Sequence, residues 1–483
     1  MRRGRALDAS PRAPEACPLS ALSRALAEID RVRAGAVVTD ADVLQAYASD
    51  ESEVPPRAPD AVVRAQSTAE VAATLKAASE HGVFVTPRGG GTSRVGGAVA
   101  VQGGIVLSLE NMNSIRGIED ADMLAVVEPG VITGALHAQV EARGLFYPPD
   151  PNSLASCTLG GNIGTGAGGP RAFKYGVTRD HVLGLEFVTA DGTVLKLGKR
   201  TPKGVTGYDL TALVVGSEGT LGVVTEATLR LRPNPPEVAT LLVFLRNAEE
   251  IQAAITLATQ ARVTPRCVEM VDAIALALMR KDAGLAISDG ARAMLLVELD
   301  GQGASLEADV ERLGGALLDA GALEVLVAQK AGERERLWAA RRELSHTLRQ
   351  SANFKLSEDV VVPRSRMAAL LALCAELADA RGIQMPTYGH AGDGNLHVNL
   401  LWNDPSQRPQ VDSAIRALFE AVVEMGGTLT GEHGIGALKA PYLGLEQSEA
   451  LIALQRRVKD VFDPRGVLNP GKIFAPQRGH GAC

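Results

Sequence analysis

Three glycine-dense loops constrain this chain more than any other feature. They are Pro87-Arg88-Gly89-Gly90-Gly91-Thr92-Ser93, the stretch from Gly160 to Gly169 with six glycines in ten residues, and Gly216-Ser217-Glu218-Gly219-Thr220-Leu221-Gly222. They help bring glycine to 51 of 483 residues, above the average of about 7 %. The first loop runs straight out of Val83-Phe84-Val85, which reads as a short buried strand. Consecutive backbone N–H groups without Cβ atoms can close around an anion, and Thr92 and Ser93 add hydroxyl donors. One such loop would be an ordinary turn. Three of them point to a long cofactor held along its length, with a pyrophosphate at the first. Gly164-x-Gly166-x-x-Gly169 matches the dinucleotide fingerprint in letters only. Residues 156–162 precede it instead of an apolar strand, and Pro170-Arg171 follows instead of a helix.

The rest of the chain falls into parts around these loops. Residues 1–19 are rich in Pro, Arg and Ala without periodicity and read as a mobile tail. Residues 20–235 read as a cofactor-binding domain. Within it, Ser67 and Glu70 form a capping box that opens a helix closed by Gly82. Strands are predicted at 105–109 and 124–127, a helix at 133–143, and a hairpin of 182–189 with 193–197 turning at Asp191-Gly192. Pro233, Pro235 and Pro236 mark a boundary. From 236 to 425, strands at 239–245, 293–299, 323–328, 358–362 and 396–401 alternate with helices at 248–260, 306–320 and 365–381. That alternation suggests a ferredoxin-like α+β substrate or cap domain. Residues 426–483 are expected to return to the first domain. The fold class is therefore α+β, in two parts.

Composition excludes several classes. Lys+Arg is 49 against 56 Asp+Glu, a net charge of −7, which disfavours nucleic acid as a partner. No apolar run approaches the ~18 residues of a membrane span. The five cysteines, at 17, 157, 267, 374 and 483, form no Cys-x-x-Cys pair, so disulfide frameworks and iron–sulfur clusters in this chain are not expected. The start, MRRGR, lacks the apolar segment of a signal peptide. A cytoplasmic location is expected, at most peripheral at the inner membrane, and a homodimer is left open.

A second constellation is Tyr388-Gly389-His390-Ala391-Gly392-Asp393-Gly394-Asn395-Leu396-His397-Val398-Asn399. Gly392 and Gly394 argue against a helix. A two-residue turn at Asp393-Gly394 would set 390 opposite 397 and place both imidazoles, with Asn399, on one face. Two facing imidazoles are half of a transition-metal site. A carboxylate should complete it, and Gly431-Glu432-His433-Gly434-Ile435-Gly436 is the best source. A third stretch, Trp338 to Arg342 followed by Lys355-Leu356-Ser357-Glu358-Asp359, offers cations. Most of them read as a solvated helix face.

These motifs closely resemble the vanillyl-alcohol oxidase/p-cresol methylhydroxylase flavoproteins, and more narrowly the branch of glycolate oxidase FAD subunits, D-lactate dehydrogenases and D-2-hydroxyglutarate dehydrogenases. The resemblance runs from about Val54 to Phe474. It implies a non-Rossmann FAD domain. Arg88, Gly89, Gly90, Gly91, Thr92 and Ser93 would cradle the pyrophosphate beside Pro87. Pro149, Asp150, Ser156, Thr158, Gly161 and Asn162 would line the flavin, and Gly168, Glu218, Gly219 and Val224 would add further contacts. It implies a Zn or Mn site at His390, His397 and Glu432, with His433 as proton acceptor, Asn399 nearby, and Arg341 and Lys355 on the substrate carboxylate. Arg342 is the alternative to Arg341. Relatives with this pattern often carry Thr where Ser345 stands. Some relatives link FAD through a His beside the first loop. Thr92-Ser93 stands there instead, so non-covalent FAD is expected, with Cys157 as the nearest thiol.

The implied reaction is oxidation of a D-2-hydroxy acid, D-lactate foremost. The metal would polarise the hydroxyl and hold His433 below its ordinary pKa, and hydride would pass to FAD. A separate acceptor would be needed: a quinone, a cytochrome, an electron-transfer flavoprotein or an iron–sulfur subunit. The alternatives are a glycolate oxidase subunit active only in a complex, and a non-redox transferase on the same fold.

Overall fold

The computed structural model describes residues 20–282 and 287–475. The tail expected at 1–19 lies outside them. The first part holds two main sheets and a two-stranded pairing of Leu145–Phe146 with Arg232–Pro233. One has four strands in the order Val37–Val38, Ala61–Arg64, Ile105–Ser108, Val85–Arg88, the last three parallel. The other has five antiparallel strands in the order Ile115–Glu119, Leu124–Val127, Val223–Arg230, Val182–Val188, Val194–Gly198. Local chemistry sets several boundaries. Ser67 accepts from Glu70 N at the start of helix Thr68–His81, and Gly82, at φ 67°, ends it. Asp191 accepts from Thr193 N at 3.0 Å inside the hairpin turn, with Gly192 at φ 83°. The second glycine block is not all loop. Thr158 caps a short helix, Leu159–Thr165, which Gly166 closes at φ 72°.

The second part is α+β, as its alternation predicted, but built on seven strands. Their order is Glu324–Ala328, Glu237–Leu245, Ala293–Gly301, Cys267–Val271, Thr387–His390, Asn395–Trp402, Phe354–Val361, all antiparallel. The strand at 267–271 has no counterpart in the sequence reading. One face packs Val268, Met270, Leu295, Val297, Leu356, Leu396 and Val398 against helices including Ala248–Gln260, Gly303–Asp319, Met367–Arg381 and Arg408–Glu424. Because strand side chains alternate, the intervening residues Glu269, Glu298, His397, Lys355 and Asp359 fall on the opposite face. The opposite face thus carries these polar groups beside a second apolar cluster, in which Leu242, Phe244, Val271, Leu296 and Leu401 pack on helices Ala273–Asp282 and Ala331–Gln350.

The last segment rejoins the first sheet. Val85 N donates to Val467 O at 2.9 Å, and Asn469 N donates to Val85 O at 2.7 Å. Lys472 Nζ, buried, donates to Val99 O at 2.7 Å. Among the described residues, Cys157, Cys267 and Cys374 are free and buried, and no helix is long and apolar enough to cross a membrane.

Candidate active site

A cavity of about 640 Å³ lies between the two parts. Residues 87–93, Gly161, Asn162, Asp150, Glu218, Gly219 and Val224 line it from the first part, Glu269, His390 and His397 from the seven-stranded sheet, and Trp338 and Arg341 from helix Ala331–Gln350. Glu432 and His433 close it from the last segment. Pro149, Ser156, Thr158 and Gly168 are not on its wall. A Cβ on Gly89 would overlap Thr158 Oγ1, and one on Gly90 would overlap Ser156 O. Close packing of the two loops is thus one reason these positions are glycine. Pro149 O meets the His137 ring at 2.9 Å. A Cβ on Gly168 would stand 3.0 Å from Glu432 Oε2, so this glycine makes room for the carboxylate.

The histidine hairpin is in a different register from the one expected. His390 pairs with Asn395, Gly389 with Leu396 and Tyr388 with His397, around a four-residue turn at 391–394. The slip is two residues, one full side-chain period, so both imidazoles stay on one face. Their ring centroids are 5.2 Å apart at 85°. His433 stacks on His397 at 5.4 Å and 9°.

The nitrogens and one carboxylate oxygen converge. Glu432 Oε1 is 3.4 Å from His390 Nε2 and 3.6 Å from His397 Nε2, and the three possible ligand atoms lie within 4.8 Å of one another. Glu269 meets His390 Nδ1 at 2.5 Å. With the proton on Nδ1, Nε2 is left as a lone pair facing Glu432. Such a donor set fits a divalent transition metal. Burial opposes a charge on His390, but Glu269 and Glu432 outweigh it and hold its pKa well above the ordinary value. Burial also opposes ionisation of Glu269, yet His390 and Arg341 bring it down to about 2. His433 is lowered by burial against the pull of Asp359 and Glu432. The expected direction therefore holds without the cation to which it was ascribed.

Two buried carboxylates grip the segment carrying Glu432 and His433. Asp359 Oδ2 accepts from Gly431 N at 2.9 Å, Glu432 N at 2.9 Å and His433 N at 3.0 Å. Glu218 accepts from Ile435 N at 2.7 Å and Gly436 N at 2.8 Å. Although Glu218 lines the cavity, its carboxylate serves this loop. Burial pushes it up to about 7. Gly431 has no room for a Cβ, which would overlap Asn395 Nδ2.

The cations are arranged unequally. Arg341, buried in helix Ala331–Gln350, pairs with Glu269 at 2.6 Å and lies over the Tyr388 ring at 4.5 Å. Its Nε has no protein partner. Arg342 lines the cavity but is half exposed and paired with Glu335. Lys355 is off the wall, and its Nζ donates to Ser345 O and Oγ, both at 2.8 Å. Burial, with Arg94 and Arg349 nearby, brings it down to about 7. Asn399 is also off the wall. Its amide donates to the carbonyls of Pro386 at 3.2 Å and His397 at 3.0 Å. Arg171 Nη1, on a residue of the same wall, is a buried donor without a hydrogen-bond partner, which suits an electron-rich guest, whereas Arg266 Nε is already paired with Glu298 at 3.3 Å.

Sequence reasoning passed over Glu269 and Asp359. Glu269 had a signal, a lone carboxylate within Cys267-Val268-Glu269-Met270-Val271. Asp359 shares the period-two face of Lys355 and Ser357.

The fold and the cavity define a flavoprotein of the p-cresol methylhydroxylase type. The chain belongs to the FAD-linked oxidase family. Residues 59–198 match its FAD binding domain, and residues 234–473 match the C-terminal domain of FAD linked oxidases. The chain is an FAD-linked oxidoreductase. It is 41 % identical over 419 residues to glycolate oxidase subunit GlcD of Bacillus subtilis, covering 86 % of this chain and 89 % of the relative. It is 36 % identical to D-lactate dehydrogenase of Anaerostipes hadrus, covering 90 % and 94 %. Among solved structures, p-cresol methylhydroxylase with substrate bound superposes with a TM-score of 0.81 at 17 % identity, covering 95 % of this chain and 98 % of that one.

Proposed function

We propose that the chain oxidises a D-2-hydroxy acid, D-lactate foremost, to the 2-oxo acid and passes the electrons to a separate acceptor. The observation that carries this reading is the convergence of His390, His397 and Glu432, with His433 beside them, on the wall of the cavity. Bound there, non-covalent FAD takes up two electrons, and Zn or Mn supplies Lewis acidity. Arg341, a buried guanidinium on the cavity wall, supplies the positive charge that attracts the substrate carboxylate. Lys355 adds positive charge behind Ser345. Nδ1 of His433 lies 3.9 Å from Asp359 Oδ2, leaving Nε2 to accept the hydroxyl proton. At 19 % exposure, against 9–13 % for the three candidate ligands, the His433 side chain is the most open of the four.

A second reading is favoured by the 41 % identity to a glycolate oxidase subunit: the chain then works on glycolate within a complex. An anaerobic panel of D- and L-2-hydroxy acids, followed by flavin bleaching in the isolated protein, separates the two. Bleaching by D-lactate supports the first reading. Bleaching by glycolate alone, or only after partner subunits are added, supports the second. No bleaching by any hydroxy acid with or without partners overturns both.

A further inference from the structure

One carboxylate touches both halves of this centre. Glu269 stands in the strand Cys267–Val271, 1 % exposed. Its Oε1 is 2.5 Å from His390 Nδ1, and its Oε2 is 2.6 Å from Arg341 Nη2. Tyr388 also touches both halves, but only through its ring, over which Arg341 lies and against which His397 packs; among the described residues Glu269 is the carboxylate that pairs with both Arg341 and a candidate metal ligand.

A 2-hydroxy acid carries its hydroxyl and carboxylate on adjacent carbons, so the two groups that hold them must keep a fixed separation. Left alone, neither would. An arginine has about 2 kcal/mol of rotamer freedom, and an imidazole can turn about its χ angles. The structure removes both freedoms through one rigid strand. Glu269 pairs with Arg341 at one end of the guanidinium while Tyr388 supports its face. The same carboxylate engages His390 Nδ1 and so turns Nε2 toward Glu432 and His397. Tyr388 and His390 flank the register pair of Met270 with Gly389, so all these contacts are referred to the same two strands.

We propose that Glu269 is a positioning residue that couples the carboxylate-binding arginine to the metal-binding histidine and so sets the spacing at which a 2-hydroxy acid is read. The inference rests on the roles given above to Arg341 and His390.

The test compares wild type with Glu269→Gln and Glu269→Asp as FAD-loaded proteins. Flavin content and Tm report folding. Competition of Zn²⁺ with a chromophoric chelator reports metal affinity. Steady-state assays at saturating Zn²⁺ report KM and kcat separately. Glu269→Gln removes the charge, so Zn²⁺ affinity should fall about tenfold to hundredfold. KM should rise about tenfold even at saturating Zn²⁺, because Arg341 is released separately. Glu269→Asp keeps the charge but is one methylene short of spanning both partners. It should show the same double loss, at least about fivefold in each. A folded Asp variant with wild-type values in both measurements overturns the inference, since charge alone would then suffice. A Gln variant changed in only one of the two overturns the coupling. Wild type that binds no Zn²⁺ or Mn²⁺ overturns the functional reading and this inference with it. Wild type that binds metal beside unaltered variants overturns this inference alone.

Discussion

Gly90 lies against the carbonyl of Ser156 so closely that a Cβ would overlap its oxygen. The first cofactor loop is therefore shaped from behind, by the turn that leads into helix Leu159–Thr165, as well as from the cavity. Gly90→Ala should push the loop into the cofactor space. Overpacking of this kind costs about 1–3 kcal/mol. Purified Gly90→Ala should carry less flavin and melt lower than wild type, and added FAD should restore part of the difference. Full flavin occupancy with an unchanged Tm would show that the two loops can move apart freely.

Flavin should leave the wild-type protein completely on acid or heat precipitation. Cys157, the nearest thiol, is buried and its Sγ lies 3.4 Å from the uncharged Thr133 Oγ1, the setting of a packed rather than a reacting cysteine. A yellow pellet would show a covalent link.

His433 and His390 should separate by what they lose. His390→Ala removes one of three converging donors, so metal content and turnover should fall together. His433→Ala leaves those donors in place. It should keep stoichiometric metal and a normal flavin spectrum while turnover falls about a hundredfold or more, the typical contribution of a general base. Metal analysis beside steady-state rates decides the matter. Loss of metal from His433→Ala would make that histidine a ligand.

Substrate affinity should weaken as pH rises through neutrality. Lys355 is brought down to about 7 from an ordinary 10.5, so in the empty site it gives up its proton above about 7. A lowered pKa on a base means that the native protein releases the proton first. Stability should therefore rise with pH over this same window while anion binding declines. KM for the hydroxy acid should climb above about pH 7. Lys355→Met should flatten that climb and lower kcat/KM about tenfold, since it removes a positive charge held behind Ser345 rather than a direct contact with the anion. A pH-independent KM in wild type would place the ammonium outside the anion's reach.

Much of this architecture could be read from local chemistry. Ser67 with Glu70, Gly82 and Asp191-Gly192 each satisfy backbone groups within a few residues, so their elements appear in the sequence close to where they form. The histidine hairpin shows the limit of that locality. Its turn is set by four residues, not by Asp393-Gly394 alone, yet a slip of two residues leaves every side chain on its expected face. Lys355 and Asn399 show a different limit. Both stand on the correct face of the sheet, but their reach is decided by Ser345 and by the carbonyls of Pro386 and His397, which come from other elements. Glu269 and Asp359 acquire their partners only when strands and loops far apart in sequence meet, and no spacing rule encodes that.

Glu218 and Gly436 are separated by 218 residues, yet they share a buried hydrogen bond. Contacts of such long range are closed late in folding, after the entropy of the intervening loop has been overcome. The same last segment reaches back to the glycine cradle, since Val467 and Asn469 hydrogen-bond Val85 at the start of the strand that carries the first loop, and Asn469 also donates to Gly97 O and Glu218 O. Cofactor capture and catalytic competence should therefore mature together. One late closure finishes both the place where colour is held and the loop where a proton is taken.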